Sequence, residues 1–591
     1  MSSSASDEAS AGASTSASPP ASDPPPLAAL FLIKFDLKVG YTIVWKRSLP
    51  GVELEGVVEY KSLPSGLHNV KEDLVYFVHE HYAGLSAFRS ASAPDAERGA
   101  HLVAVGVLVP LSHGRLGRSW LHASELLAFS SDLVANINRT AGLEEYWTKH
   151  HQVSDVSEAP GRFSPTSPSV LNEPPRSSDG IRRQSARARA LSNVSTIAPH
   201  DASLPAFHPA LSMLSYMDTF GPLVYPLHRA ALLRKRILFV VHPPVRQYCD
   251  FVYDLSVLAS IPSSTADLLP AEANLIHRYA PLFTVGVHDI AFLESLSSVE
   301  ELSREDQSDA AIARGWVACT TDEVIGMKTS LYDVLVEMPQ KNDYSPSQKQ
   351  WPKMKRPDGK EIRASQRDAR RFLTLCKSVH LAKHSLSAEE AAVDSPGVDE
   401  AEGLLRRALG NTGDEGEDDP AIYEDRLVEP LTWSALAYSG FLWWASAGEK
   451  DTVSEEEVDL DCDLFGDLPG LMARWSSKLG LPRHPSTATG SSAKVTGEAV
   501  PAEAHAAVVA YFHRLTSQTI RVLAEAIEAE EEHQQDDGGE LVVNSDDLGR
   551  IGLDVWSDTD RTFVQDFVRL YFARDAVVHG AGIECCGIKI C

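Results

Sequence analysis

The run Ile237–Val241, ILFVV, constrains this chain more than any other stretch. Five consecutive apolar residues, mostly β-branched or aromatic, stop at His242-Pro243-Pro244. A run without polar alternation suits a strand buried on both faces, as in a parallel sheet. A helix is expected before it. Asp218 and Thr219 are N-cap types, Pro222 suits a first turn, and Leu223, Leu227, Ala230 and Ala231 recur on one face. Arg234-Lys235-Arg236 then places positive charge at the expected helix C-terminus, where the macrodipole favours it. A second helix follows the prolines and ends before Pro262. Pro281 to Val287 and Trp316 to Thr320 are further buried-strand candidates, and Tyr332 to Val336 starts a helix or another strand. Strands alternating with helices predict a central parallel α/β module over 205–345.

Upstream, Ile33, Phe35 and Leu37 alternate with polar residues, and Thr42 to Trp45 follows Gly40, a hairpin pattern. Leu74 to Val78, Ala83 to Phe88 and Leu102 to Val109 add three strands, and Ser119 to Asn138 reads as a helix. Together they predict an α+β module over 27–144. Residues 1–26 read as a disordered tail without the features of a secretory signal. Residues 145–204, rich in Ser and Pro, read as a disordered linker. Ser164 and Ser167 precede prolines and Ser185 follows Arg182-Arg183; phosphate there would add about −1.5 to −2 charges, although a solvated tether is the preferred reading. From 346 to 591 an all-helical module is expected, with helices at Ile362 to His380, Leu431 to Ala447, Ala502 to Ile527 and Asp560 to Phe572. Acidic disordered insertions at 387–427 and 449–500 separate them.

A chain of 591 residues exceeds what one core usually supports, and 43% hydrophobic content is enough for several. A formal charge of −28 disfavours nucleic acid and broad anionic-membrane binding, since both are polyanions. Seven cysteines form no CxxC pair; Cys249, Cys319 and Cys376 read as reduced core thiols. Leu431 to Ala447 is shorter than the roughly 20 residues of a bilayer span, so a buried helix is expected and no transmembrane segment.

Covalent chemistry finds no residues to carry it. His113-Gly114-Arg115-Leu116-Gly117-Arg118-Ser119 lacks the lysine and spacing of a P-loop and reads as a turn before a helix. His79-Glu80-His81 would put two imidazoles on one strand face, but no third ligand is near in sequence. His150-His151, read as a strand pair, would point to opposite faces. Trp443-Trp444 reads as core. Cys585 and Cys586 do not stand where a prenylation signal needs its cysteine. No cofactor and no metal is expected.

The segment GPLVYPLHRAALLRKRILFV resembles the central part of DENN-domain proteins, most closely their LCHN-like branch with its fungal members. GVELEGVVEYKSLPSGLHNVKEDLVYF from Gly51, ERGAHLVAVGVLVP from Glu97, LTWSALAYSGFLWWASAGE from Leu431 and the final CCGIKIC agree with it in order. The resemblance implies a longin-like N-terminal module, a central DENN module and a helical downstream module. It implies a guanine nucleotide exchange factor for a Rab-type small GTPase, with the GTPase held between the first two modules. Reduced thiols suit a reducing compartment, so a cytoplasmic protein is expected, with peripheral attachment to endomembranes through Leu431 to Ala447 as a less favoured reading. The alternative is a DENN-like adaptor in membrane traffic without exchange activity. Asp218, Arg229, Arg234, Arg236 and Arg246, polar residues inside the densest matching segment, are the candidate GTPase contacts.

Overall fold

In a computed structural model, the strands with buried runs assemble into one mixed sheet. The structure describes residues 23–36, 38–67, 70–92, 100–151, 204–270, 278–298, 315–340, 350–389, 427–433, 435–436, 457–461, 463–464, 502–533, 540–580, 584–585 and 588–589. Leu37, the linker serines, Trp443-Trp444, Cys586, most of Leu431 to Ala447 and most of the acidic insertions lie outside these residues.

The N-terminal strands are β1 (Ala29–Asp36), β2 (Gly40–Ser48), β3 (Glu72–His79), β4 (Tyr82–Ser92) and β5 (Ala100–Pro110). They run antiparallel in the order β3-β4-β5-β1-β2. Ala29 to Ile33 are all buried, so β1 begins well before the alternating residues that mark it in the sequence. Gly84 of β4 faces Phe77 of β3, whose ring lies where any Cβ would stand, so only glycine fits. A short helix α1 (Val58–Lys61) follows β2. Helix α2 (Ala123–Ala135) packs on β4 and β5.

Helix α3 (Ala141–His150) crosses the expected linker boundary at 145, because Leu143 and Tyr146 bury one of its faces. His150 and His151 therefore sit at a helix end and not on a strand. His79 ends β3, and Glu80, with φ of 51°, turns the chain into β4, so His79 and His81 do not share one strand face.

The chain next forms α4 (Met213–Phe220) and α5 (Val224–Leu232). Asp218 and Thr219 occupy the last turns of α4 and do not cap α5. The buried stripe Met213, Tyr216, Met217 and Phe220 carries helix through them and outweighs their capping preference. Gly221 then breaks the helix with φ of 56°, under the ring of Trp351, and Pro222 lies in a single 3-10 turn before α5.

Strands β6 (Ile237–Val240), β7 (Ala280–Thr284), β8 (Trp316–Thr320) and β9 (Val334–Glu337) form a parallel set in the order β9-β6-β8-β7. The ILFVV run is central in it, paired on both sides. Helices α6 (Arg246–Leu258), α7 (Ser263–Ala266), α8 (Ile290–Ser298) and α9 (Glu323–Met327) connect the strands. Two short antiparallel strands, β10 (Lys353–Lys355) and β11 (Glu361–Ile362), extend the far edge.

Beyond lie α10 (Gln366–Glu389), α11 (Ala502–His533), α12 (Ser545–Ile551) and α13 (Asp558–Phe572). The C-terminal part is not all-helical: β12 (Leu541–Val543) and β13 (Ala576–Val578) pair in parallel, and β14 (Glu584–Cys585) pairs with β15 (Ile588–Lys589). These runs of two or three residues are too short to show period-2 alternation. No helix among the described residues is long and apolar enough to cross a membrane.

Among the described residues the two expected modules join edge to edge, β7 against β3, in one sheet of eleven strands ordered β11-β10-β9-β6-β8-β7-β3-β4-β5-β1-β2.

Candidate functional site

The five candidate contacts are spread over α4, α5, the turn into β6, and α6. Asp218 is exposed on α4. Arg229 is buried, and its Nη1 and Nη2 donate to Asp368 Oδ1 at 2.8 Å and Oδ2 at 2.6 Å. Asp560 Oδ1 stands 3.1 Å from the same guanidinium, an ion pair without hydrogen-bond geometry. Burial opposes the Arg229 charge, but the two carboxylates outweigh it and raise its pKa. Arg229 therefore ties α5 to α10 and α13 and offers no docking surface.

Arg234 is also buried, in a left-handed conformation with φ of 55°. Its Nη1 donates to Ala231 O at 3.0 Å and Ala259 O at 2.9 Å, so it caps the ends of α5 and α6. The expected dipole match holds, but for a core residue and not a solvated rim. Arg236 is held by Asp333 at 2.8 Å and Ser330 O at 3.2 Å. Arg246 opens α6, lies over Phe207 at 5.0 Å, stands 3.9 Å from Asp250 and reaches solvent.

Of the three thiols read as core, Cys249 and Cys319 are buried, whereas Cys376 is exposed on the outer face of α10. Among the described residues no three potential metal ligands gather. The cavity bounded by Tyr225, His228, Arg229 and Arg371 holds about 20 Å³, room for one water.

Sequence reasoning missed the seam. Between the sheet halves a single register pair, Phe77 with Phe283, joins β3 to β7. Phe283 is fully buried with φ of 59°, a rare conformation for a bulky residue, at a bulge in β7. Side chains make up for the short ladder. Asp73 on β3 accepts from the N–H of Val245 at 2.6 Å and of Arg246 at 3.2 Å, capping α6 from the other half. Burial pushes the Asp73 carboxyl up to about 6, against these backbone donors. Arg115 donates to Ser256 O at 3.2 Å and Ser260 Oγ at 2.6 Å. The glycine-containing stretch around it is thus a turn that delivers an inter-module clamp. Trp120 packs edge-on against His208 at 4.6 Å.

At one rim the seam is open to solvent. Lys61 Nζ pairs with Asp289 Oδ1 at 2.7 Å and donates to Val78 O at 2.8 Å. It holds Tyr60 stacked on His288, ring centroids 3.8 Å apart. Val287 donates its N–H to Asp322 Oδ2 at 3.1 Å, and Lys328 pairs with Glu294 at 3.1 Å, linking the β7 loop, α8 and α9. Tyr60, Val287, Phe292, Val324 and Met327 are exposed along this path, Met327 by 74%. Val287 and Phe292 follow the end of β7, and Val324 and Met327 follow the end of β8; the carboxyl ends of the strands are where open α/β sheets bind ligands. The face has apolar anchors with a charged surround, a binding composition without an acid–base or nucleophilic constellation.

The family model for DENN domain-containing protein 11 matches residues 30–349. A domain of unknown function, DUF4484, matches residues 428–541 and 530–591. DENN domain-containing protein 11 of Danio rerio is 30% identical over 316 residues, 53% of this chain and 53% of that protein. The Mus musculus protein of that name is 30% identical over 317 residues, 53% of this chain and 57% of its own length. Uncharacterized protein ANR2 of Saccharomyces cerevisiae is 22% identical over 583 residues, 95% and 94% of the two chains. The matches thus span little more than half the length of these vertebrate relatives, and 94% of the yeast protein. The family model runs from β1 through β9, more than half of the chain, and takes in the seam and the exposed rim: the chain belongs to the DENN domain-containing protein 11 family.

Proposed function

We propose that this protein is a guanine nucleotide exchange factor for a Rab-type small GTPase, docking its partner on the exposed rim of the seam. DENN domains are generally associated with such exchange in membrane traffic. The observation that carries the reading is the stack of Tyr60, from the antiparallel half, on His288 of the turn after β7, with Tyr60 and the neighbouring Val287 and Phe292 exposed. Exchange needs no covalent chemistry. A surface that binds the nucleotide-poor GTPase more tightly than the GDP-loaded form shifts the equilibrium toward GDP release. The antiparallel half is then a longin-like module, and the chain a member of the LCHN-like branch. It works in the cytoplasm, peripherally on endomembranes.

The test is release of fluorescent GDP from a panel of Rab-type GTPases with and without the full chain. Faster release from one member supports exchange. Binding without acceleration establishes an adaptor instead. No binding to any member removes the GTPase reading.

A further inference from the structure

Cys249 of α6 and Cys319 of β8 are both fully buried, with sulfurs 3.8 Å apart. Thr284 Oγ1 of β7 lies 3.3 Å from Cys249 Sγ and 3.9 Å from Cys319 Sγ. The carbonyl of Tyr76, on β3, is 3.9 Å from Cys249 Sγ. Four elements from both halves of the sheet thus converge on one dithiol, beside the strand that carries the seam. The sulfurs are in van der Waals contact, and a disulfide needs them about 2.05 Å apart.

We propose that Cys249 and Cys319 are a redox-active dithiol that closes into an intramolecular disulfide, stapling α6 to β8 beneath the rim. With hydrogen peroxide as oxidant, one thiol attacks the O–O bond to give a sulfenic acid and the first water. The second thiol attacks that sulfur, forms the S–S bond and releases the second water. Two thiols lose two electrons and two protons, and one peroxide becomes two waters. The thiol is shielded while the packing is closed: burial pushes Cys249 well above its ordinary value, so thiolate is scarce. Oxidation therefore proceeds through opening of α6 from the sheet, and the disulfide holds α6 down afterwards. Asp73 anchors the start of α6, and β8 leads into Asp322 and α9, so the staple stiffens the rim. That consequence for docking rests on the proposed function; the disulfide itself does not.

The experiment uses the folded full chain. Exposed thiols, Cys376 among them, are first blocked with N-ethylmaleimide; hydrogen peroxide is then added without denaturant and the peptides are mapped by mass spectrometry. A 249–319 disulfide is expected, two hydrogen masses light and reversed by dithiothreitol. Its rate should level off as peroxide is raised, because opening becomes limiting, and the thermal midpoint should rise by several degrees. Cys249→Ser should abolish both. Reduced Cys249 and Cys319 in the folded chain, with linkage appearing only in urea, would overturn the proposal. GDP release is read on the same samples. Absence of exchange in both redox states would count against the docking reading alone and leave the mapped disulfide standing.

Discussion

The Asp73 carboxylate on β3 accepts the backbone N–H of Val245 at 2.6 Å, so a strand in one half of the sheet caps the central helix of the other. Asp73→Ala leaves these donors at the start of α6 without their acceptor. A lost cap costs about 1–2 kcal/mol, and Asp73→Asn should cost less because its amide oxygen still accepts. Thermal unfolding of the three proteins compares them; an unchanged midpoint in Asp73→Ala would show the cap to be energetically idle.

Arg229→Met should be far more damaging. It abandons Asp368 and Asp560, both buried, without their cation. Breaking a buried ionic cluster from one side costs about 3–5 kcal/mol. Arg229→Lys should fall between, because an ammonium keeps the charge but lacks the planar fork that meets Asp368 and leaves room for Asp560. Soluble expression and the unfolding midpoint are the readouts.

Acid should loosen the helix α11 interface. Burial lowers His228 to about 3, while its Leu258 carbonyl partner and nearby His513, Arg229 and Arg234 complete its surroundings. His208 is lowered to about 4, by burial and by His505 and Arg118. A depressed histidine pKa gives stability present above the unfolded value of about 6.5 and lost as pH falls from there toward 3–4, at about 1.4 kcal/mol per pH unit per group. His228→Gln, which can still donate to Leu258 O, should make the stability curve shallower between pH 6 and 4 than in the parent. Identical slopes would exclude His228 as a source.

Two fragments, 23–151 and 204–591, should co-purify when co-expressed. The seam offers the Phe77–Phe283 ladder pair, the Asp73 cap, the Arg115 clamp and the Lys61–Asp289 bridge. Separate elution on size exclusion would contradict a sheet continuous across both.

Tyr60→Ala and Phe292→Ala should each weaken exchange by about tenfold while leaving the unfolding midpoint nearly unchanged, as truncation of an exposed anchor removes about 1.4 kcal/mol of binding. Arg236→Glu should do the reverse, lowering the midpoint through loss of the Asp333 pair. Full exchange by Tyr60→Ala and Phe292→Ala would move the docking surface elsewhere.

Elements whose information is local were legible in the sequence. ILFVV reads as a doubly buried strand because no polar residue interrupts it, and it is paired on both sides. The patterns at 74–78, 83–88 and 102–109 became β3, β4 and β5, and the amphipathic run at 560–572 became most of α13. Tertiary structure decided which charged residues face solvent. Arg229 meets a partner 139 residues away, and Arg234 folds back with a positive φ that nothing local announces. Tyr571 reaches Leu232 O across 339 residues. The proposed docking rim was illegible for the same reason. Tyr60 and His288 are distant in sequence and ordinary in type, and they become a surface only where β3 and β7 close one sheet. Periodicity records how a segment meets its own neighbours; long-range packing chooses which of its polar residues are buried and which remain for a partner.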